Sequence, residues 1–187
     1  MAQSGQERST MSDALIGVAA GALAIWVLDR VDWFNFEHES PESRRRTKAV
    51  RPGGMDPAHV IANKLAESLG YDLQPKDYNK AGLAVHYSIG MLPAALYSVL
   101  RHKAPALTTG QGTLFGLGLF LVQDEGLNAV TGLSAPPAAY PWQAHARGLV
   151  AHLVYGLVLE TTLSTADRLL SSKRPGEVQG PERNAFE

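Results

Sequence analysis

Four apolar runs alternate with polar stretches along the chain. They cover residues 14–28 (ALIGVAAGALAIWVL), 81–100 (AGLAVHYSIGMLPAALYSVL), 110–130 (GQGTLFGLGLFLVQDEGLNAV) and 147–163 (RGLVAHLVYGLVLETTL). None alternates with period two, and each is apolar nearly all round, which suits a buried or membrane helix rather than a strand. A helix needs roughly 20 residues to cross the hydrocarbon core. With flanking residues borrowed, the predicted spans are about 13–30, 80–101, 110–130 and 145–165. A soluble bundle of four apolar helices is the competing reading, but the runs lack the charged outer face such helices carry. Small residues four apart, Gly17/Gly21 and Gly112/Gly116, are spaced for close helix contact in lipid. The fold class expected is all-α: an integral membrane four-helix bundle with an extra amphipathic helix in the first loop.

The polar stretches refine that picture. A cleavable signal peptide is an alternative for the first run, but DRVDWFNFEHE follows it instead of a small-residue cleavage site, so it reads as a retained anchor. Trp26, Trp33 and Trp142 lie near run ends, where indole rings favour headgroups. HESPESRRRTKAVRPGG (38–54) reads as irregular. After it, Asp56 suits an N-cap, Pro57 the first helical position and Gly70 the position just past the end. The predicted helix, 57–69, places Val60, Ile61, Leu65 and Leu69 on one side and either docks on the bundle or lies on the membrane surface. The ends, 1–12 and 169–187, read as disordered.

Composition adds exclusions. Across 187 residues the net charge is -1, so neither a nucleic-acid nor another polyanion partner is implied. There is no cysteine, hence no disulfide, thiolate metal site or cysteine nucleophile. Ser88 and Ser134 lack a nucleophile-elbow context, so an enzyme is not the favoured reading. Arg44, Arg45 and Arg46 are placed either to hold anionic lipid or to form a solvated, topology-setting loop. Basic residues occur on both flanks, leaving orientation open. The glycine faces also leave room for a homo-oligomer.

The third run carries the chemistry. From Gly110 to Val122 is too short to span, so the helix must continue through Gln123, Asp124, Glu125 and Asn128. Two carboxyl groups then lie below the headgroups, where a charge costs on the order of 2.5 kcal/mol or more and must face inward or find a partner. His145 and His152, two turns apart, share a face of the fourth helix, with Arg147 and Glu160 beside them. His86 heads a stripe with Gly90, Pro93 and Tyr97 on the second. Helices three and four, joined by a short loop, are expected as antiparallel neighbours. Asp124 and Glu125 are therefore expected opposite His145 and Arg147, with His86 and His152 completing the cluster. Asp29, Arg30 and Asp32 read as plain interfacial charges. Three uses of the cluster stand open: proton or ion handling, a structural network fixing helix register, and a metal or haem site, for which no tight ligand spacing is present.

A resemblance rests on the same residues. His86 and Gly90, Gln111-Gly112, Gly132-Leu133, Pro136-Pro137, Pro141-Trp142 and AHLVYG around His152 resemble the YagU-like family of bacterial inner-membrane proteins. The likeness covers roughly the second half of the chain, with a weaker echo at the first helix. It implies a small multi-spanning protein of the bacterial inner membrane whose biochemical role is undefined.

Overall fold

The computed structural model describes residues 9–172, all of its regular structure helical. Helix α1, Thr10–His38, is 29 residues long, or about 43 Å. Its N-cap Ser9 accepts from the Ser12 amide, and Asp13 in the first turn faces the positive end of the helix dipole. Residues 10–12, and likewise 169–172 at the end of the last helix, are thus helical rather than part of irregular ends. Of the rest of the two predicted disordered ends, Ser9 is the cap just named, and 1–8 and 173–187 lie outside the described residues.

The segment 38–54, expected as irregular, is largely helical. Helix α1 runs two turns beyond the predicted span to His38, and α2 follows at Pro41–Val50. Ser40 makes the break. Preceding a proline, it is pushed out of helical geometry, and its side chain then caps the Ser43 amide at 3.1 Å. Helix α3, Pro57–Ser68, begins and ends on the expected residues. Asp56 caps the His59 amide, Pro57 opens the helix, and Gly70 at φ +81° closes it. The Tyr71 amide donates to Ala66 O and the Gly70 amide to Glu67 O, the paired bonds of a Schellman end.

The face α3 buries is the predicted one only at Val60. Leu65 and Leu69 are exposed, whereas Ala58, His59, Val60, Ala62 and Asn63 are buried. Polar satisfaction decides this. The His59 ring lies where Gly82 of α4, Lys80–Leu100, has no Cβ, since one there would stand 2.1 Å from His59 Cδ2. Asn63 donates to Lys76 O at 2.8 Å. The His59 ring and the Asn63 amide nitrogen thus find partners on the docked face, while Asn63 Oδ1 is left without one.

The third apolar run forms helix in three windings: α5, Thr113–Leu119, a π-helical stretch, Phe120–Leu127, and α6, Asn128–Val130. Last comes α7, Trp142–Ser172, 31 residues. Among the described residues, α1, α4 and α7 are each long and apolar enough to cross a membrane. The expected four-helix bundle reduces, in what is shown, to these three helices with the wound run 113–130 laid along α7.

Contacts set the directions. Gly17 and Gly21 of α1 meet Ala94, and Ile25 meets Gly90, so α1 and α4 are antiparallel. A Cβ on Gly21 would stand 2.6 Å from Ala94 Cβ. Gly112 and Gly116 meet Gly156 and His152, so α5 and α7 are antiparallel too, and a Cβ on Gly116 would stand 2.1 Å from His152 O. Tyr155 of α7 donates to Gly90 O of α4 at 2.6 Å, and Tyr97 to Glu160 further along both helices, so α4 and α7 run parallel. The core lies where α1, α4 and α7 meet: Ala20, Ala24, Ile25, Ala94, Tyr97, Tyr155 and Leu159. Much of the exterior is also apolar. Leu15, Leu23, Leu92, Leu96, Leu121 and Val122 are all exposed, a surface that in water would be an association patch.

Candidate functional site

At the end of the bundle where α1 and the π-helical stretch finish and α4 and α7 begin, a cavity of about 600 Å³ opens among the helices. All eight residues singled out from the sequence line it: His86, Gln123, Asp124, Glu125, Asn128, His145, Arg147 and His152. Three consecutive polar residues, Gln123 to Glu125, face one cavity because that turn is wound i→i+5. The wider turn keeps successive side chains on a narrower arc than an α-helix would.

The expected opposition of Asp124 and Glu125 to His145 and Arg147 is half realised. Glu125 Oε1 lies 2.6 Å from His145 Nδ1. His145 Nε2 lies 3.1 Å from Pro137 O, which can only accept. Both ring nitrogens therefore face acceptors, and a proton is needed between Nδ1 and Oε1 in addition to the one on Nε2. The pair is either imidazolium with carboxylate or imidazole with carboxylic acid, and it holds an exchangeable proton both ways.

Arg147 turns elsewhere. It donates from Nε to Asp32 Oδ1 at 2.9 Å and from Nη1 to Glu39 Oε1, with its guanidinium 5.0 Å from the Phe36 ring centre. The reason lies in α1. Once the helix continues to His38, Asp29, Asp32, Phe36 and Glu39 follow at i+3, i+7 and i+10 and form one stripe. Asp29 and Asp32 are thus cavity-wall partners rather than plain interfacial charges. Helical spacing was the signal that would have found them, had the helix been extended.

The other two histidines of the cluster have their own carboxylates. His86 Nε2 is 2.8 Å from Asp29 Oδ1. His152 Nδ1 donates to Gly148 O at 2.9 Å and stands 3.7 Å from Asp124 Oδ2, while Asn128 reaches Asp124 Oδ1 at 3.4 Å. His59, at the mouth, differs. Its Nε2 accepts from the Asn79 amide at 3.3 Å, so its proton sits on Nδ1 and goes to Asp56 at 2.7 Å. That histidine is committed to holding α3 against α4. Among the described residues no three His, Asp or Glu side chains converge as metal ligands.

A second polar cluster lies at the opposite end of the bundle. Arg101 grips Glu160 with two nitrogens, Nη2 to Oε1 at 2.6 Å and Nε to Oε2 at 3.0 Å. It also reaches Asp167 at 2.5 Å and Ser164 at 2.9 Å. Tyr97 donates to Glu160 Oε2 at 2.6 Å and Ser164 to Oε1 at 2.6 Å. Glu160 was placed on the fourth helix as a possible neighbour of the cavity residues, and the fold sends it to the other end.

Residues 46–161 match the family model described as "Protein of unknown function (DUF1440)". The match holds every cavity residue singled out from the sequence and excludes the acidic stripe of α1. No curated protein and no solved structure matches the chain.

Proposed function

From a chain that belongs to the DUF1440 family of proteins of unknown function, we propose a four-span membrane protein that takes up and relays protons through the cavity at one end of its bundle. The run 113–130 is the remaining span. The directions of α1, α4, this run and α7 alternate as four successive crossings require, and the apolar exterior faces lipid. His86 and Arg101, fifteen residues apart on one helix, mark polar layers about 22 Å apart. That is less than the roughly 30 Å hydrocarbon thickness, so one bilayer core is thick enough to hold both layers. Likeness to the YagU-like proteins adds the compartment: the bacterial inner membrane, entered as a multi-pass protein. Arg44, Arg45 and Arg46, on α2 beside the exposed Trp33 and Phe34 of the same end, stand where anionic headgroups are met.

The observation that carries the relay is the His145–Glu125 pair, which cannot be drawn without an exchangeable proton, in the wall of a cavity that also holds His86–Asp29 and His152–Asp124. Imidazole–carboxylate pairs at membrane depth pass protons in membrane proteins. The test is proton flux into proteoliposomes carrying an internal pH dye, driven by a potassium diffusion potential. Wild type is expected to conduct, and Glu125→Gln and Asp124→Asn to fall to lipid background while keeping their fold. Wild-type flux no faster than empty liposomes refutes the relay. The structural reading of the cluster then takes its place, with loss of thermal stability in both variants as its signature.

A further inference from the structure

Most carboxylates around the cavity already have a partner. Asp29, Asp56, Asp124 and Glu125 each face a histidine, and Arg147 is held by Asp32 and Glu39. What is left on the wall is Lys48 and Arg51, Arg30 stacked on Trp26, and a single carboxylate, Asp77. Among the described residues neither Lys48 nor Arg51 has an ion pair, and Lys48 lies 6.0 Å from the Phe36 ring centre.

Between these cations and the core of the wall lies Thr47. It is 0 % exposed, it lines the cavity, and its Oγ1 has no hydrogen-bond partner. A hydroxyl buried without a partner is costly and uncommon. Thr47 and Lys48 in the last turn of α2 and Arg51 at its C-cap therefore bring an idle hydroxyl, an ammonium and a guanidinium to the lining of one cavity, neither cation in an ion pair among the described residues. Such a set suits a tetrahedral oxyanion: the guanidinium donates in a fork, the ammonium adds a point charge, and the hydroxyl donates a third bond.

We propose that Thr47, Lys48 and Arg51 form an anion subsite on the cavity wall, built for a phosphate group. Two sources share that chemistry, an anionic lipid headgroup entering from the membrane edge and a free phosphate-bearing solute. The inference rests on the cavity described under the proposed function, not on the relay. The relay's failure appears separately, as wild-type flux at background.

The experiment uses the full chain in phosphatidylcholine nanodiscs, with its thermal transition followed by tryptophan fluorescence as inorganic phosphate is added at constant ionic strength. A parallel arm uses nanodiscs containing phosphatidylglycerol and no phosphate. A saturable rise in Tm with phosphate identifies a solute site. A raised Tm in phosphatidylglycerol, with no response to phosphate in the phosphatidylcholine arm, identifies a headgroup site. Lys48→Gln and Arg51→Gln are expected to weaken the response by at least about tenfold, the loss of one charge-assisted bond. Thr47→Val gives a control of opposite sign. Removing an unpartnered hydroxyl is expected to hold or raise the Tm without anion while weakening the response, which a merely structural threonine would not do. Asp124→Asn is expected to keep it. No response in either arm, or an equal response in all three subsite variants, overturns the proposal.

Discussion

The two polar clusters use the same side-chain chemistry to different ends. At the Arg101 end the charges are packed against one another. The guanidinium, both oxygens of Glu160, a tyrosine, a serine and Asp167 meet in one knot, and Arg101 and Glu160 are each only 7 % exposed. At the cavity end the pairs stand apart around some 600 Å³ of space, half-buried, with a proton to spare. A closed network ties α4 to α7 in register. An open one leaves groups able to change state. The difference teaches that burial of charge alone does not mark a site; unfilled space and uncommitted protons beside it do.

The contrast is broken most directly at Arg101. Arg101→Met leaves Glu160 buried without its partner and is expected to cost about 3–5 kcal/mol, read by denaturant unfolding in detergent. Arg101→Met with Glu160→Met is expected to recover most of that loss. If the single variant costs nothing, the knot is not what holds α4 to α7. Next comes the seam between the clusters. Gly116→Val puts side-chain atoms where a Cβ would already stand 2.1 Å from His152 O. It is expected to cost about 1–3 kcal/mol by overpacking and to move the π-helical stretch, so flux should fall with stability.

At the cavity end the effects on stability are smaller. Glu125→Gln keeps a hydrogen-bonding group opposite His145 and is expected to cost no more than about 1 kcal/mol while abolishing flux. A larger loss of stability would place this cluster with the other. Ser40→Ala removes the α2 cap and is expected to cost about 1 kcal/mol, seen as earlier proteolysis around residues 41–50. The smallest effect belongs to the loop outside both clusters, where Lys76 lies 3.1 Å from Glu67 and 3.5 Å from Asp72. Bonding to Glu67 raises the Lys76 ammonium above its ordinary range, and the Gln74 amide holds the Asp72 carboxyl below its own. Any stabilisation from Lys76 is therefore present at neutral pH and fades as alkaline pH removes its proton. That from Asp72 fades on acidification. Both are solvent-exposed and screened, so Lys76→Met is expected to leave Tm unchanged between neutral and alkaline pH.

Much of the cavity was legible beforehand. An acid pair inside an apolar run needs partners, and the short connection between runs three and four brings His145 to Glu125. The helix of 57–69 was legible from its caps, because Asp56, Pro57 and Gly70 act locally. Its docking face was not. A hydrophobic stripe cannot reveal that His59, satisfied at both nitrogens, packs better against Gly82 than Leu65 would. Ser40-Pro41 carried the start of α2 in plain form, but basic residues around it read as loop.

By itself the sequence determined where α3 begins, that three of its runs are apolar enough to cross a membrane, and that acids near residue 124 require company. Those are local or compositional quantities: caps, periodicity and transfer cost act within a few turns of chain. Only the tertiary structure decided who the partners are. Arg147 met Asp32 and Glu39, Glu160 went to Arg101, and Thr47 was left facing a cavity with no partner, because pairing depends on helix lengths and directions that no single segment encodes.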